Sequence, residues 1–172
     1  NIKNINKLSF NIKKKVERDI KKITAKREFF KKKNHILMGI LNLTPDSFSD
    51  GGKFNSVKKS SKRIKNLIDD GAEIIDVGGE STRPGSKIIS QKNELQRVKE
   101  VIKNFKKKYP KTLLSIDTRK SLVMNFSIKH KVDIINDVSC FKFDPKSIET
   151  IKKKNLWKII HHMQGTPQTM QI

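Results

Sequence analysis

The segment TLLSIDTRKSLVMNFSIKHKVDIIND, Thr112 to Asp137, decides the fold. It opens with a strand-like apolar run that brings Asp117, passes through a segment with Leu122, Val123 and Phe126 as its inward positions, and closes with VDIIND, which brings Asn136 and Asp137. Two apolar runs joined by a single helix predict parallel strands linked by a right-handed crossover.

The same unit recurs on both sides. Upstream, AEIIDV brings Asp76; after GGESTRPGS, Ser90 is placed to cap a helix that carries Leu95, Val98, Val101, Ile102 and Phe105 and stops near Pro110. Before that, HILMGIL (His35 to Leu41) reads as a strand buried on both faces, ending at Asn42. A polar loop through Gly52 follows, with Phe48 in its middle, and it reads either as a connection or as part of a site. Ser56 is placed to cap a helix bearing Val57, Ile64, Leu67 and Ile68, and Gly71 to end it. Downstream, Asp144 and Pro145 read as a helix start with Ile148 and Ile151 buried, and LWKII runs into His161 and His162.

Five strand-then-helix units make the chain α/β, either an open doubly wound sheet or a (β/α)8 barrel. Neither GxGxxG nor GxxxxGK[ST] follows the first strand, which weighs against the dinucleotide and P-loop versions. In a barrel, Asn42, Asp76, Asp117, Asn136 and His162 would meet at the C-terminal face. A barrel needs eight strands, so on that reading it is one truncated after about five units, with the edges of its first and last strands exposed. The start at Asn1 rather than methionine reads as a processed N-terminus or, more simply, as a fragment. Residues 1–34 read as a basic extension with one short helix through Val16, Ile20 and Ile23, and residues 35–172 as the partial barrel.

The 172 residues carry a net charge of +22, yet lysine outnumbers arginine 33 to 6 in dispersed runs. Readers of bases and phosphates favour the bidentate guanidinium, so nucleic-acid binding is not the expected main function. A single cysteine, Cys140, excludes an internal disulfide and points to a reducing cytoplasm. No apolar run reaches the ~18 residues of a membrane span.

At the strand ends, a carboxylate such as Asp117 accepts two parallel N–H bonds from a guanidine-like ring edge, and the Asn136 amide supplies both donor and acceptor. The alternative is that each caps the following helix. Arg83, among glycines and before Pro84, can clamp an anion or pair with Glu80. The Asn42 carbonyl suits Mg2+, which takes few protein oxygens and otherwise phosphates and water. His161 and His162, as neighbours on a strand, face opposite ways and do not share an ion.

MGILNLTPDSFSDGG (Met38–Gly52), GAEIIDVGGESTRPGS (Gly71–Ser86), SIDT (Ser115–Thr118), DIINDVS (Asp133–Ser139) and HMQGTPQTMQ (His162–Gln171) together resemble dihydropteroate synthase. That family condenses hydroxymethyl-dihydropterin pyrophosphate with p-aminobenzoate on a TIM barrel, releasing pyrophosphate, and is a sulfonamide target. The resemblance implies Mg2+ and pyrophosphate at Asn42, the pterin at Asp117 and Asn136, and Thr82, Arg83 and Pro84 in a second mobile loop near p-aminobenzoate. Phe48 and Asp50 would belong to the first mobile loop, and Asp117, Arg83 and Asp50 would be catalytic. It also implies a cytoplasmic homodimer when full length, with the present chain inactive alone, since an aspartate, a lysine and an Arg/His pair from later strands have no counterpart here. Two departures stand out: His161 replaces a usually apolar residue of the pterin pocket, and TRK follows Asp117 where Thr-Ser-Lys is usual. A methyltetrahydrofolate-type methyltransferase barrel would share the pterin contacts without needing TPDSFSDGG or STRPG. A non-catalytic reading, a degraded fragment or basic binding protein, needs neither loop.

Overall fold

The computed structural model describes residues 9–31, 35–44, 53–81 and 86–161. Two units divide the chain at residues 36 and 37. The first contains the helix α1, Phe10–Lys31, which opens with the Lys13 amide donating to the Ser9 carbonyl (2.9 Å). At 22 residues it is longer than the spacing of Val16, Ile20 and Ile23 suggests, and Phe10, Ile12 and Ile20 are exposed on it.

The second unit alternates β1 (Met38–Asn42), α2 (Lys53–Asp69), β2 (Ile74–Gly78), α3 (Gln91–Lys108), β3 (Leu113–Asp117), α4 (Ser121–Lys129), β4 (Ile134–Asp137), α5 (Ser147–Ile151) and β5 (Trp157–Ile160). All neighbouring strands are parallel, in the order β1-β2-β3-β4-β5. Each crossover therefore steps one strand in the same direction. A doubly wound sheet would reverse its order at a switch point, so the topology is that of a barrel wall.

One face of the sheet carries Leu41, Ile75, Val77, Leu114, Ile116 and Ile135, packed against Ile64 of α2, Val98, Ile102 and Phe105 of α3, and Val123 and Met124 of α4. Ser90 caps α3 by accepting from the Asn93 amide (3.2 Å), as its position predicts. Gly71, at φ +100°, closes α2: its amide donates to Ile68 and that of Ala72 to Leu67. Lys131 repeats this cap after α4 at φ 64°, with its amide on Ile128 and that of Val132 on Ser127.

Several local expectations are corrected. β1 begins at Met38 rather than His35, and only Gly39 and Leu41 are buried; Ile40 is 61% exposed because its inner-facing side chain has no described element over it. α2 starts at Lys53, before Ser56, so Ser56 is not its cap. α4 buries Val123 and Met124, with Phe126 half-buried and Leu122 exposed. α5 starts at Ser147, and Ile148 faces solvent while Ile151 is buried. Asp144 precedes that helix and bridges elsewhere, accepting from the Ser121 amide at the start of α4 (2.8 Å) and from the Lys146 amide (2.9 Å).

A buried charge cluster joins the segments after β2 and β3. The Lys120 ammonium, 2% exposed, lies 2.8 Å from Glu80 Oε1 and 2.6 Å from Glu94 Oε2. Arg119 Nε donates to Glu80 Oε2 (2.9 Å) while its guanidinium lies 3.9 Å from the Phe143 ring centroid. Thr118 Oγ1 donates to Glu94 Oε1 (2.5 Å) and the Ile89 amide to Glu80 Oε1 (3.0 Å).

Replacing Lys120 with Met leaves two buried carboxylates facing each other and is expected to lower unfolding free energy by about 3–5 kcal/mol in urea titrations. Lys131→Gly relieves the left-handed backbone and is expected to raise it by roughly 1 kcal/mol in the same titration.

Candidate active site

Strand register builds the site. Asn42, Gly78, Asp117, Asn136 and Ile159 form one rung across all five strands. Because side chains alternate along a strand, this rung lies on the face opposite the helix-packed core, and Asp76 shares its side two residues earlier. The rung contains a gap: a Cβ placed on Gly78 would sit 3.4 Å from Asp117 Oδ2 and 3.5 Å from Asn42 Oδ1. Glycine there leaves the position of a Cβ between the Asn42 amide and the Asp117 carboxylate unfilled.

The Asn136 amide is held at both ends. Its Nδ2 donates to Asp76 Oδ2 (3.2 Å), and its Oδ1 lies 3.0 Å from His161 Nε2. Asp76 is buried, and its other oxygen has no hydrogen-bond partner among the described residues. Burial raises the Asp76 pKa, a shift tempered by Ser115 and Asn136. Asp117 is pushed further, up to about 7, first by burial and then by the carboxylates of Asp76, Glu94, Asp137 and Glu80. The Asp117 carboxyl group makes no hydrogen bond to any described residue, and Arg119 and Lys120, the next cations along the chain, are bonded to Glu80 and Glu94. The result is a carboxyl group with its acceptors open, poised between charge states near neutral pH.

Glu80 behaves in the opposite sense. Burial alone would raise its pKa, but bonds from Arg119, Lys120 and the Ile89 amide hold it below the usual carboxylate range. The connection between β2 and α3 is thus fixed at both feet: Glu80 reaches Ile89, Ser86 Oγ donates to the Ser81 carbonyl (2.6 Å), and Arg97 donates to the Gly79 carbonyl (2.7 Å).

Of the residues expected at the site, Asn42, Asp117 and Asn136 are brought onto one rung. Phe48, Asp50, Thr82, Arg83, Pro84 and His162 lie outside the described residues. The helix-cap alternative fails for Asp117 and Asn136: Ser121 at the head of α4 is bonded by Asp144, and Asn136 points to Asp76 and His161. Asp137 closes its own turn by accepting from the Ser139 amide and hydroxyl, both at 2.7 Å. Glu80, considered as a partner for Arg83, engages Arg119 and Lys120. The likeness already puts His161 in the pterin pocket, as a departure from an apolar residue, and Gly78 is one of the glycines in the loop that carries Arg83; the bond from His161 to Asn136 and the place of Gly78 between Asn42 and Asp117 come from the structure. Counting by two from Ile159 puts His161 on the inner face, so strand alternation contained that signal. Gly78 reads in sequence as a residue allowing close backbone approach, but its neighbours on the rung follow only from the strand beside it.

The described residues contain no group of three or more His, Cys, Asp and Glu able to hold a metal, and no helix long and apolar enough to cross a membrane. The family pattern of pterin binding enzymes matches residues 38–172. Dihydropteroate synthase of Escherichia coli strain K12 is 45% identical over 135 residues, which cover 78% of this chain and 47% of that protein. That of Clostridium beijerinckii is 48% identical over 120 residues, 70% and 44% of the two chains. Among solved structures, Yersinia pestis dihydropteroate synthase in complex with a sulfonamide drug superposes with a TM-score of 0.71 at 40% identity, covering 79% of this chain and 49% of that one. The Clostridium difficile enzyme in the presence of pteroic acid gives 0.72 at 43%, with 78% and 51% covered. The chain spans about half the length of the relatives it matches. With the pattern covering nearly all of the second unit, the chain belongs to the pterin binding enzyme family, where its relatives are dihydropteroate synthases.

Proposed function

We propose that this chain supplies the pterin-holding half of a dihydropteroate synthase, which joins hydroxymethyl-dihydropterin pyrophosphate to p-aminobenzoate and releases pyrophosphate. The observation that carries the reading is the rung Asn42–Gly78–Asp117–Asn136, where a carboxyl group with no hydrogen bond to a described residue lies beside a fixed amide. A pterin edge offers adjacent N–H donors and a carbonyl. The ionised Asp117 accepts the donors, and the free N–H and lone pair of Asn136 complete the match.

As pyrophosphate departs, positive charge develops on the pterin methylene, and the Asp117 carboxylate stabilises it through a site where neighbouring cations are already paired. Motif likeness assigns Arg83 and Thr82 to the departing pyrophosphate, and Pro84, Phe48 and Asp50 to enclosing p-aminobenzoate, the place where a sulfonamide would compete. Excluding water there protects the cation from capture.

The chemistry of the donor set fits Mg2+. Asn42 Oδ1 is a hard, neutral oxygen beside the gap at Gly78, and a magnesium ion held mainly by pyrophosphate and water needs only one or two protein oxygens. When bound, the ion would neutralise the leaving group. Likeness to the bacterial relatives extends the proposal to a homodimer of a complete protein in the cytoplasm, with turnover requiring the half of the relatives' length that this chain does not span.

Titration calorimetry with a dihydropterin is the direct test of the site. Binding needs ionised Asp117, so affinity is expected to be flat above about pH 7 and to fall roughly tenfold per unit below it, while Asp117→Asn binds at least tenfold more weakly with no such slope. Absence of pterin binding by the unaltered chain would refute the assignment. With both substrates and Mg2+, the isolated chain is expected to release pyrophosphate at a rate indistinguishable from the uncatalysed background; turnover like that of a complete synthase would refute the need for the remaining half.

A further inference from the structure

We infer that His161 is a positioning residue for the pterin, acting by fixing which way the Asn136 amide faces; the inference rests on the pterin reading of this site. The geometry leaves Asn136 between a carboxylate oxygen at 3.2 Å and an imidazole nitrogen at 3.0 Å. The Asp76 carboxylate only accepts, so Nδ2 turns toward it, and Oδ1 then needs a donor, which the Nε2–H of His161 supplies. With the amide flipped, oxygen would face oxygen and N–H would face N–H. The histidine therefore selects one of two amide orientations in a buried position where an unmade bond is costly.

The lock determines what the ligand meets. With one N–H on Asp76 and one lone pair on His161, Asn136 keeps one donor and one acceptor for the ring, in a fixed order. Reversing that order would set the pterin's own donors and acceptors against like groups. An apolar side chain at 161 would leave Oδ1 without its donor and the orientation set by Asp76 alone. His161 is exposed and sits just beyond β5, so its contribution lies in this bond rather than in core packing.

The inference requires that His161 be the Nε2–H tautomer. Long-range nitrogen–proton NMR correlations of the ligand-free protein at pH 8 are expected to show Nε2 protonated and Nδ1 bare; a protonated Nδ1 or an averaged pair would overturn it. Two variants then separate the hydrogen bond from bulk. His161→Met is expected to weaken dihydropterin binding about tenfold, the scale of one hydrogen bond. His161→Gln, which keeps an N–H donor of similar reach, is expected to return affinity to within about threefold of the unaltered chain. Equal binding by all three proteins, or equal loss in Met and Gln variants with unchanged thermal unfolding, would overturn the inference while leaving the pterin site standing. If the unaltered chain does not bind dihydropterin, the site assignment fails, and with it the pterin-positioning role, whatever the tautomer.

Discussion

A lysine ammonium removed from water between two glutamates is the constraint on which this structure turns. Isolated, each buried charge would be penalised by several kcal/mol (an order-of-magnitude figure), so Lys120, Glu80 and Glu94 hold one another in place. Glu80 belongs to the segment after β2, Glu94 to the first turn of α3, and Lys120 to the segment after β3. Arg119 extends the cluster to Phe143 beyond β4. The C-terminal ends of three successive strands are thereby tied together by charge and ring contacts, at the face where a barrel places its chemistry.

The same cluster shapes the electrostatics of the site. Arg119 and Lys120 follow Asp117 in the chain, yet both are drawn away to Glu80 and Glu94. Asp117 is left in a buried setting among other carboxylates, and its pKa rises to about 7 in consequence. A group so placed gives up stability as pH rises from the normal aspartate range toward 7, because the unfolded chain ionises there while the folded state still holds the proton. On the proposed reading, a ligand that offers N–H donors would relieve this penalty, and Gly78 leaves the position beside Asp117 without a side chain.

Much of this was legible in residue order. Alternating apolar runs and amphipathic segments disclosed the parallel βα units, Ser90 and Gly71 marked helix ends that the structure keeps, and Asn42, Asp117 and Asn136 stood where strands finish. The misses share a cause. Lys131 ends α4 in a left-handed conformation that its residue type does not advertise, and Asp144 caps a helix that begins 23 positions earlier. Ile148 and Leu122 satisfy the helical period but face solvent, because short helices bury only the positions that the neighbouring layer covers.

Sequence alone determined what depends on periodicity and local chemistry: the order of elements, their parallel sense, and the polar residues at strand ends. Tertiary structure decided what depends on register between strands. Only pairing sets Gly78 between Asn42 and Asp117, joins Asp76 to Asn136 across sixty positions, and brings His161 onto the same amide. Hydrogen bonds and desolvation act over a few ångströms in space regardless of separation along the chain. The identity of a site residue can therefore be read in order, but its charge state and partners follow from which strands lie side by side.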